Sequence, residues 1–184
     1  MIVRHSEVMG EMLRARSTAE HLNALLRNIR EIDVLIAQGS STPVAAATEA
    51  LGSRDAYAAV MLVEREADGT PVRRHIFGNG RAAECLNRME QLPEEPFCQR
   101  RAMETDGPFV DTMGANCADC PLADAADEGT VVVAALRHRG RLCGTLATVF
   151  LQAVEISEEE LQLIEGVADD LARSLDADRL IRER

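Results

Sequence analysis

The sequence predicts an α+β domain in which an antiparallel sheet packs against helices on one face. Two β-rich segments, 56–78 and 130–152, are each divided by a short turn, as in β-hairpins. Segments with apolar residues at helical spacing precede, separate and follow them. Such an order of elements favours an antiparallel sheet with helices packed on it. At 184 residues, 46% of them hydrophobic, the chain is long enough for one domain with a substantial core.

The N-terminal part is predicted as a long helix from Met1 to about Ala37, followed by a shorter helix from Pro43 to about Leu51. Apolar residues of the first helix step by three and four, which is the spacing of a coiled coil or a helical bundle, at Leu22, Leu25, Ile29, Ile32 and Ile36. We therefore divide the chain into a signalling or dimerisation helix, 1–39, and a domain, 40–184.

The first hairpin and a long loop occupy the middle of the chain. The run "AYAAVMLVERE" is followed by a turn at Asp68-Gly69 and a returning strand, "PVRRHIFG". Two short amphipathic helices are predicted over 81–91 and 97–104. The region 106–129 has Gly, Pro, Asp and Asn spread through it, which indicates a loop, and it contains "NCADCPLA". A loop of this length inside a compact domain usually has a function or an internal staple.

The second hairpin and a long helix complete the chain. The run "TVVVAALRHRGRLCGTLATVFLQ" turns at Arg139-Gly140. Ser157 and Glu160 have the spacing of a capping box. They start a helix that runs to the C-terminus, with apolar residues at Leu161, Ile164, Ala168, Leu171 and Leu175. Long helices at both ends can pair with those of a second copy, which predicts a homodimer that transmits a conformational change. The alternative is that each apolar stripe packs only on its own sheet.

Composition excludes several classes of partner. The formal net charge of −11 argues against nucleic acid, because that binding depends on clustered Lys and Arg. No run of about 18 apolar residues is present, so we expect no membrane span. The N-terminus lacks the apolar core of a secretory signal, so we expect a cytoplasmic protein with reduced thiols. In that compartment a C-x-x-C motif favours metal binding or redox chemistry over a structural disulfide.

Four segments resemble the GAF domains of bacterial sensor histidine kinases and related regulators. They are "HLNALLRNIREIDVLIAQ", "AYAAVMLVERE", "PFCQRRAMETDGPFVDTMGANCADCPLADAADEGTVVVAALRHRGRLCGTLATVFLQ" and "SEEELQLIEGVADDLARSLDADRL". The resemblance covers roughly Leu22 to Leu180. More narrowly, the sequence is similar to a GAF subgroup with a C-x-x-C-P-L motif before the last hairpin.

The resemblance implies a fold, a pocket and partners. It implies an antiparallel sheet of about six strands flanked by helices, with a small-molecule pocket between the sheet and its loop and helix side. It also implies a histidine kinase or another regulator as the output partner. We expect no phosphotransfer by these 184 residues, because they include no kinase. GAF ligands vary widely, and fold alone does not select among them.

The cysteines are the candidate functional residues. Cys117 and Cys120 have the spacing that lets two thiolates converge on one metal ion from a turn. The resemblance supplies Cys98 as the third ligand, and the candidates for the fourth are Cys85, His75 or an exogenous group. Such a set would suit zinc or an iron–sulfur cluster.

Each candidate residue also has a purely structural interpretation. Cys85 has the helical position of a small buried hydrophobic residue, and Cys143 has the position of a core residue in its strand. His75 fits an ordinary strand histidine. The sequence alone leaves a metal centre, a redox thiol and structural packing all open for the cysteines.

Two other functions remain open. Free methionine-R-sulfoxide reductases are also small GAF proteins, with cysteines near the positions of Cys98 and Cys117, and a thiolate there would attack the sulfoxide. The glycine-framed cysteine motif of that family is absent around "EPFCQRR", and its catalytic loop is not matched by "GANCADCPL". In the third possibility the domain only dimerises and relays strain between its terminal helices.

Overall fold

A computed structural model describes residue 51 and the ranges 57–78, 80–89, 92, 94–113, 120–125 and 128–182. The predicted helix over 1–39, and all of the following one except Leu51, lie outside the described residues, as does Cys117. The strands are β1 Ala59–Arg65, β2 Pro71–Gly78, β3 Phe109–Thr112, β4 Thr130–His138 and β5 Arg141–Phe150. The helices are α1 Gly80–Arg88, α2 Phe97–Glu104, a 3-10 helix at Pro121–Asp124, and α3 Glu158–Arg182.

The described residues form one five-stranded antiparallel sheet in the order β2-β1-β5-β4-β3. Both predicted hairpins are present, with β1 paired to β2 and β4 paired to β5. Strands β1 and β5 pair in the interior of the sheet and join the two hairpins. The predicted α+β class is confirmed, with five strands among the described residues where the resemblance implied about six.

Both faces of the sheet are covered by helices, which differs from the one-sided arrangement predicted from element order. Val60 and Leu62 of β1 pack with α3, whereas Met61 and Val63 pack with α1 and α2. All seven residues of β1 are buried. The uninterrupted apolar run of β1 indicates this burial on both faces, because strands buried on both faces lack the alternation of apolar and polar residues seen in half-buried strands.

Strand β3 lies inside the region predicted as a loop. Its four residues pair with the first part of β4, with Val110 opposite Val132. It is a short strand at the edge of the sheet, and Val110 and Thr112 are exposed. Four residues directly after Gly107-Pro108 carry too weak an alternation to be separated from a loop by sequence. The strand leads the chain toward the segment that contains Cys117.

The long C-terminal helix α3 begins as predicted. The backbone N–H of Glu160 donates to Ser157 Oγ at 3.2 Å, which confirms half of the capping box. The apolar stripe of α3 is buried against the sheet through Ile164, Val167, Ala168, Leu171, Ala172 and Leu175. Most of this stripe therefore packs on the chain's own sheet, while Leu180 and Ile181 at the end of the helix are 46% and 72% exposed.

None of the helices in the described part of the chain is long and apolar enough to cross a membrane.

Candidate functional site

Three cysteines from three separate elements lie in one apolar cluster on the α1 and α2 side of the sheet. Cys85 belongs to α1, Cys98 to α2, and Cys120 directly precedes the 3-10 helix. Their exposed fractions are 1%, 4% and 9%, respectively. Met61 of β1 and Met113 belong to the same cluster. The sulfur-bearing side chains of this face are thus gathered between the sheet and its covering helices.

The segment that carries Cys117 is attached to this cluster at both ends. Met113 precedes the segment and Cys120 follows it, and both are buried in the cluster. Cys117 itself lies among the residues that the structure does not describe, 114–119. Cys120, the second cysteine of the C-x-x-C motif, therefore lies on the face of the sheet that also holds Cys98.

Arg88 connects α1 to the motif. Its Nη2 donates to Cys85 Sγ at 3.2 Å and to the Asp124 carboxylate at 2.9 Å, and it lies 3.5 Å from the Pro121 carbonyl oxygen. The pair with Asp124 is largely exposed, so it contributes little to stability. Its effect is positional, because one guanidinium contacts both the Cys85 thiol and the residue that follows Cys120.

Cys98 is positioned by α2 and its contacts with the sheet. The next residue, Gln99, is 3% exposed, and its Oε1 accepts a hydrogen bond from Thr145 Oγ1 of β5 at 3.3 Å. Phe97 packs edge-to-face on Phe109 of β3, with ring centroids 6.2 Å apart. These two contacts fix α2 between β3 and β5 and leave the Cys98 side chain within the apolar cluster.

His75 is not brought to the cysteines. It lies opposite Leu62 in the β1–β2 ladder, and Leu62 faces α3. Its Nε2 is 2.6 Å from Glu64 Oε1 on that side, while the adjacent Ile76 packs against the cysteine cluster. Of the two candidates for a fourth ligand, the structure places Cys85 on the side of Cys98 and Cys120, and places His75 on the other side.

Cys143 is a core residue, as predicted. It packs in the cluster beneath α3, on the face of the sheet opposite the other buried cysteines. Burial, together with the nearby charge of Asp176, raises the pKa of the Cys143 thiol. A thiol in this state is neither a good nucleophile nor a ready metal ligand.

The described residues alone do not complete a metal site. Among them, no group of three His, Cys, Asp or Glu side chains is close enough together to hold a metal ion. Cys85, Cys98 and Cys120 share one cluster but are not close enough together to hold one ion.

Of the cavities along the described residues on the α3 side of the sheet, two have volumes near 200 Å³. One, of about 190 Å³, is bordered by the ends of β1 and α3 and the start of β5, and includes Arg65, Arg141 and Arg182. The other, of about 200 Å³, lies between α3, β4 and the loop after α2. Neither cavity is predictable from the sequence, because each joins residues that are far apart along the chain. The pocket expected on the opposite side of the sheet remains a prediction.

Comparisons with known proteins establish the fold. No protein-family model matches the sequence, and no curated protein matches it either. The NLH2 GAF domain of A. aeolicus, in an inactive state, superposes with a TM-score of 0.63 at 13% identity, covering 86% of this chain and 99% of that one.

Two further structures show the range of this architecture. The phycocyanobilin-bound GAF domain of a cyanobacterial phytochrome has a TM-score of 0.61 at 15% identity, covering 87% of this chain and 98% of that one. The free methionine-R-sulfoxide reductase of Neisseria meningitidis, in complex with its substrate, has a TM-score of 0.61 at 13% identity, covering 85% and 93%. The chain therefore has the GAF fold, which is shared by ligand-binding domains and by an enzyme.

Proposed function

We propose that this protein is a sensory domain of the GAF fold, and that its signal is received by the cysteines on the α1 and α2 side of the sheet. The observation that supports this proposal most is that Cys98 and Cys120 are buried in one cluster. Cys120 also directly follows the segment that contains Cys117. Packing alone gives no reason for a C-x-x-C turn at this position. A shared metal or redox centre does.

The proposed ligands are Cys98, Cys117 and Cys120, with Cys85 as the candidate for the fourth. Because Cys85, Cys98 and Cys120 are not close enough together to hold one ion in the structure as described, binding would have to draw them together. Cys85 is preferred over His75 because it belongs to the same cluster. Four thiolates suit zinc or an iron–sulfur cluster. A bound metal would stabilise thiolates in an apolar environment that otherwise disfavours their charge, and a cluster would add sensitivity to redox state. In both cases the loss of the centre would release the segment 114–119.

Burial favours this proposal over a thiol enzyme. A catalytic thiolate must meet its substrate, whereas Cys98 and Cys120 are 4% and 9% exposed and are surrounded by apolar side chains. The structural likeness to a methionine-R-sulfoxide reductase is no closer than that to the phytochrome domain, so the fold does not favour the enzyme. The reductase activity remains the alternative.

The output would pass through the terminal helices. Helix α3 packs on the sheet along most of its length and ends in exposed Leu180 and Ile181, which suits a contact with a second copy or with a kinase or regulator. A homodimer through the terminal helices is part of this proposal, and Leu25→Asp or Ile29→Asp is expected to weaken it. Light scattering of the parent protein at high concentration tests this part, and a monomer would refute it.

Metal analysis tests the centre itself. The untagged protein, purified anaerobically, is expected to contain zinc, or iron with acid-labile sulfide, at about one centre per chain. Cys98→Ser, Cys117→Ser and Cys120→Ser should each lose most of it. Cys143→Ser is the matched control, because it removes an equally buried thiol from the opposite face of the sheet and should keep the full content.

Two results would contradict the proposed centre. Freshly purified protein without zinc, iron or sulfide would refute it, and so would a loss of metal in Cys143→Ser equal to that in Cys117→Ser. The thiol-enzyme alternative would then be tested by reduction of free methionine sulfoxide, with Cys98→Ser and Cys117→Ser as inactive variants. Cys85→Ser separates the fourth ligand from the other three, because metal retained in this variant would exclude Cys85.

A further inference from the structure

The guanidinium of Arg88 lies where α1 meets the segment that follows the C-x-x-C motif. Arg88 is the last residue of α1, and its side chain is 51% exposed. Its Nη2 is 3.2 Å from Cys85 Sγ, 2.9 Å from Asp124 Oδ2 and 3.5 Å from the Pro121 carbonyl oxygen. Cys85 precedes Arg88 by about one helical turn, so both side chains lie on the same side of α1. One nitrogen atom therefore contacts a candidate ligand of the proposed centre and both ends of the 3-10 helix.

The contact with Cys85 reaches from the surface into the core. Cys85 is 1% exposed, and the other buried residues of α1, Ala82 and Leu86, are apolar. A thiol sulfur accepts hydrogen bonds weakly, whereas a metal-bound thiolate carries negative charge and accepts them well. The guanidinium is therefore better matched to Cys85 as a metal ligand than to Cys85 as a core thiol.

The charge of the proposed ligand set gives this contact a purpose. A divalent metal ion bound by four thiolates keeps an excess of negative charge. Burying such charge without a compensating partner is costly. The buried side chains of the cysteine cluster are apolar or contain sulfur, and none of them supplies positive charge. Arg88 supplies it directly at the sulfur of Cys85.

Arg88 also connects the two elements that metal binding would have to draw together. Cys85 belongs to α1, and Cys120 directly precedes the 3-10 helix that carries Asp124. The pair of Arg88 with Asp124 is 51% and 58% exposed, so it adds little stability and can adjust as the two elements approach. The guanidinium thus keeps the residues after Cys120 beside α1 without fixing their separation.

We infer that Arg88 is a positioning residue of the proposed centre and acts through Cys85. It orients the Cys85 sulfur, offsets part of the negative charge of the ligand set, and holds the residues after Cys120 next to α1. The inference rests on the proposed function, because a chain without the centre has no use for this role. It also assigns the fourth ligand position to Cys85 rather than to an exogenous group.

A cobalt(II) titration of the full chain, freed of metal, tests the inference. Cobalt bound by thiolates gives a sulfur-to-metal charge-transfer absorption, so affinity and ligand environment are measured together. Arg88→Gln should weaken cobalt binding by about tenfold, the usual effect of losing a hydrogen bond to a metal ligand. The absorption should also move to longer wavelength, because a sulfur without the guanidinium releases an electron to the metal more easily.

Two further arginine variants supply the matched comparison. Arg88→Lys keeps the charge but loses the planar fork of donors, so its cobalt affinity should return to within about threefold of the parent. Arg100→Gln is the control, because Arg100 pairs with Glu94 at 2.9 Å and is 47% exposed, against 2.9 Å and 51% for Arg88. This variant removes the same charge from α2 and should leave the affinity within about twofold and the absorption unchanged.

A measurement without metal tests the contacts of Arg88 by themselves. In the NMR spectrum of the metal-free, ¹⁵N-labelled chain, Arg88→Gln should shift the amide signals of Leu122 and Asp124. These residues are far from Arg88 in the sequence and are joined to it only through the contacts of its side chain with the 3-10 helix. Arg100→Gln should leave both signals in place.

Four results would overturn the inference. Three of them leave the proposed centre intact: equal cobalt affinities of Arg88→Gln and Arg100→Gln, weaker binding by Arg88→Gln with an unchanged absorption, and unshifted signals of Leu122 and Asp124 in the metal-free variant. The fourth, a parent that binds no cobalt, would also refute a zinc centre, so the two failures are distinguishable. If Arg88→Gln fails to fold, Asp124→Asn replaces it, because it removes the partner that holds Arg88 at 2.9 Å and should weaken cobalt binding by about threefold.

Discussion

Two glycine-to-alanine substitutions in this chain should change its stability in opposite directions. In β5, a Cβ added at Gly144 would lie 2.3 Å from the Val63 carbonyl oxygen and 3.2 Å from Leu136 Cδ1. The nearest obstacle is backbone of the neighbouring strand β1, which cannot rotate aside as a side chain can. Gly144 lies opposite Glu64, and the β1–β2 ladder has its irregularity directly after Glu64. Gly144 is therefore required by a close approach of two interior strands.

The magnitude follows from the displacement that alanine would force. Relief of a 2.3 Å contact to an ordinary van der Waals distance needs a strand shift of about 1 Å in a close-packed sheet. Overpacking of this kind costs about 3 kcal/mol, at the upper end of its usual range. For a domain of this size we therefore expect the Tm of Gly144→Ala to fall by about 6–12 °C.

Gly166→Ala is the matched control. Gly166 lies on the exposed side of α3, and an added Cβ would meet nothing within 4 Å. Alanine there should stabilise the helix by about 0.5–1 kcal/mol, because it lowers the entropy of the unfolded chain. Urea unfolding of both variants measures the two effects. A Gly144→Ala protein as stable as its parent would refute the close approach of β1 and β5 at this position.

Two further predictions concern the helix cap and acid stability. Ser157→Ala should cost about 1 kcal/mol, because it removes the acceptor of the Glu160 N–H; Ser157→Asp restores an acceptor and should recover most of the loss in urea unfolding. Burial raises the pKa of Glu64, but the hydrogen bond from His75 and nearby positive charges outweigh it and leave that pKa below its ordinary value of 4.5. The stabilisation from ionised Glu64 is therefore present above pH 4.5 and is lost as the pH falls through the lowered pKa. Glu64→Gln should show a smaller fall in stability than the parent between about pH 5 and pH 3, and equal falls would contradict this account.

Structural features that depend on residues close together in the sequence were predicted correctly. Helix α2 has the predicted bounds, Phe97–Glu104, and α3 begins at the predicted cap. Both hairpins turn at the positions that Asp68-Gly69 and Arg139-Gly140 indicated. These features depend on a few neighbouring residues, so propensity, capping and turn chemistry suffice to place them.

Structural features that depend on residues far apart in the sequence were missed or left undecided. Strand β3 forms because β4 offers it an edge, and its own four residues carry little information. The grouping of Cys85 with Cys98 and Cys120 depends on α1, α2 and the 3-10 helix packing on the same face of the sheet. Spacing connects Cys117 only to Cys120. Which other side chains join them is determined by tertiary packing, and for this reason the sequence did not decide between Cys85 and His75.

Glu64 determines which residues of β1 face the cysteines. Successive residues of β1 point to opposite sides, so a register shift of one residue would exchange their environments. The apolar residues of β1 tolerate either side, but Glu64 does not. It is 7% exposed and depends on His75 and nearby arginines on the α3 side. Without these partners, in the apolar cysteine cluster, the buried carboxylate would cost several kcal/mol. One carboxylate at the end of an otherwise apolar strand therefore selects which side of β1 faces the cysteines.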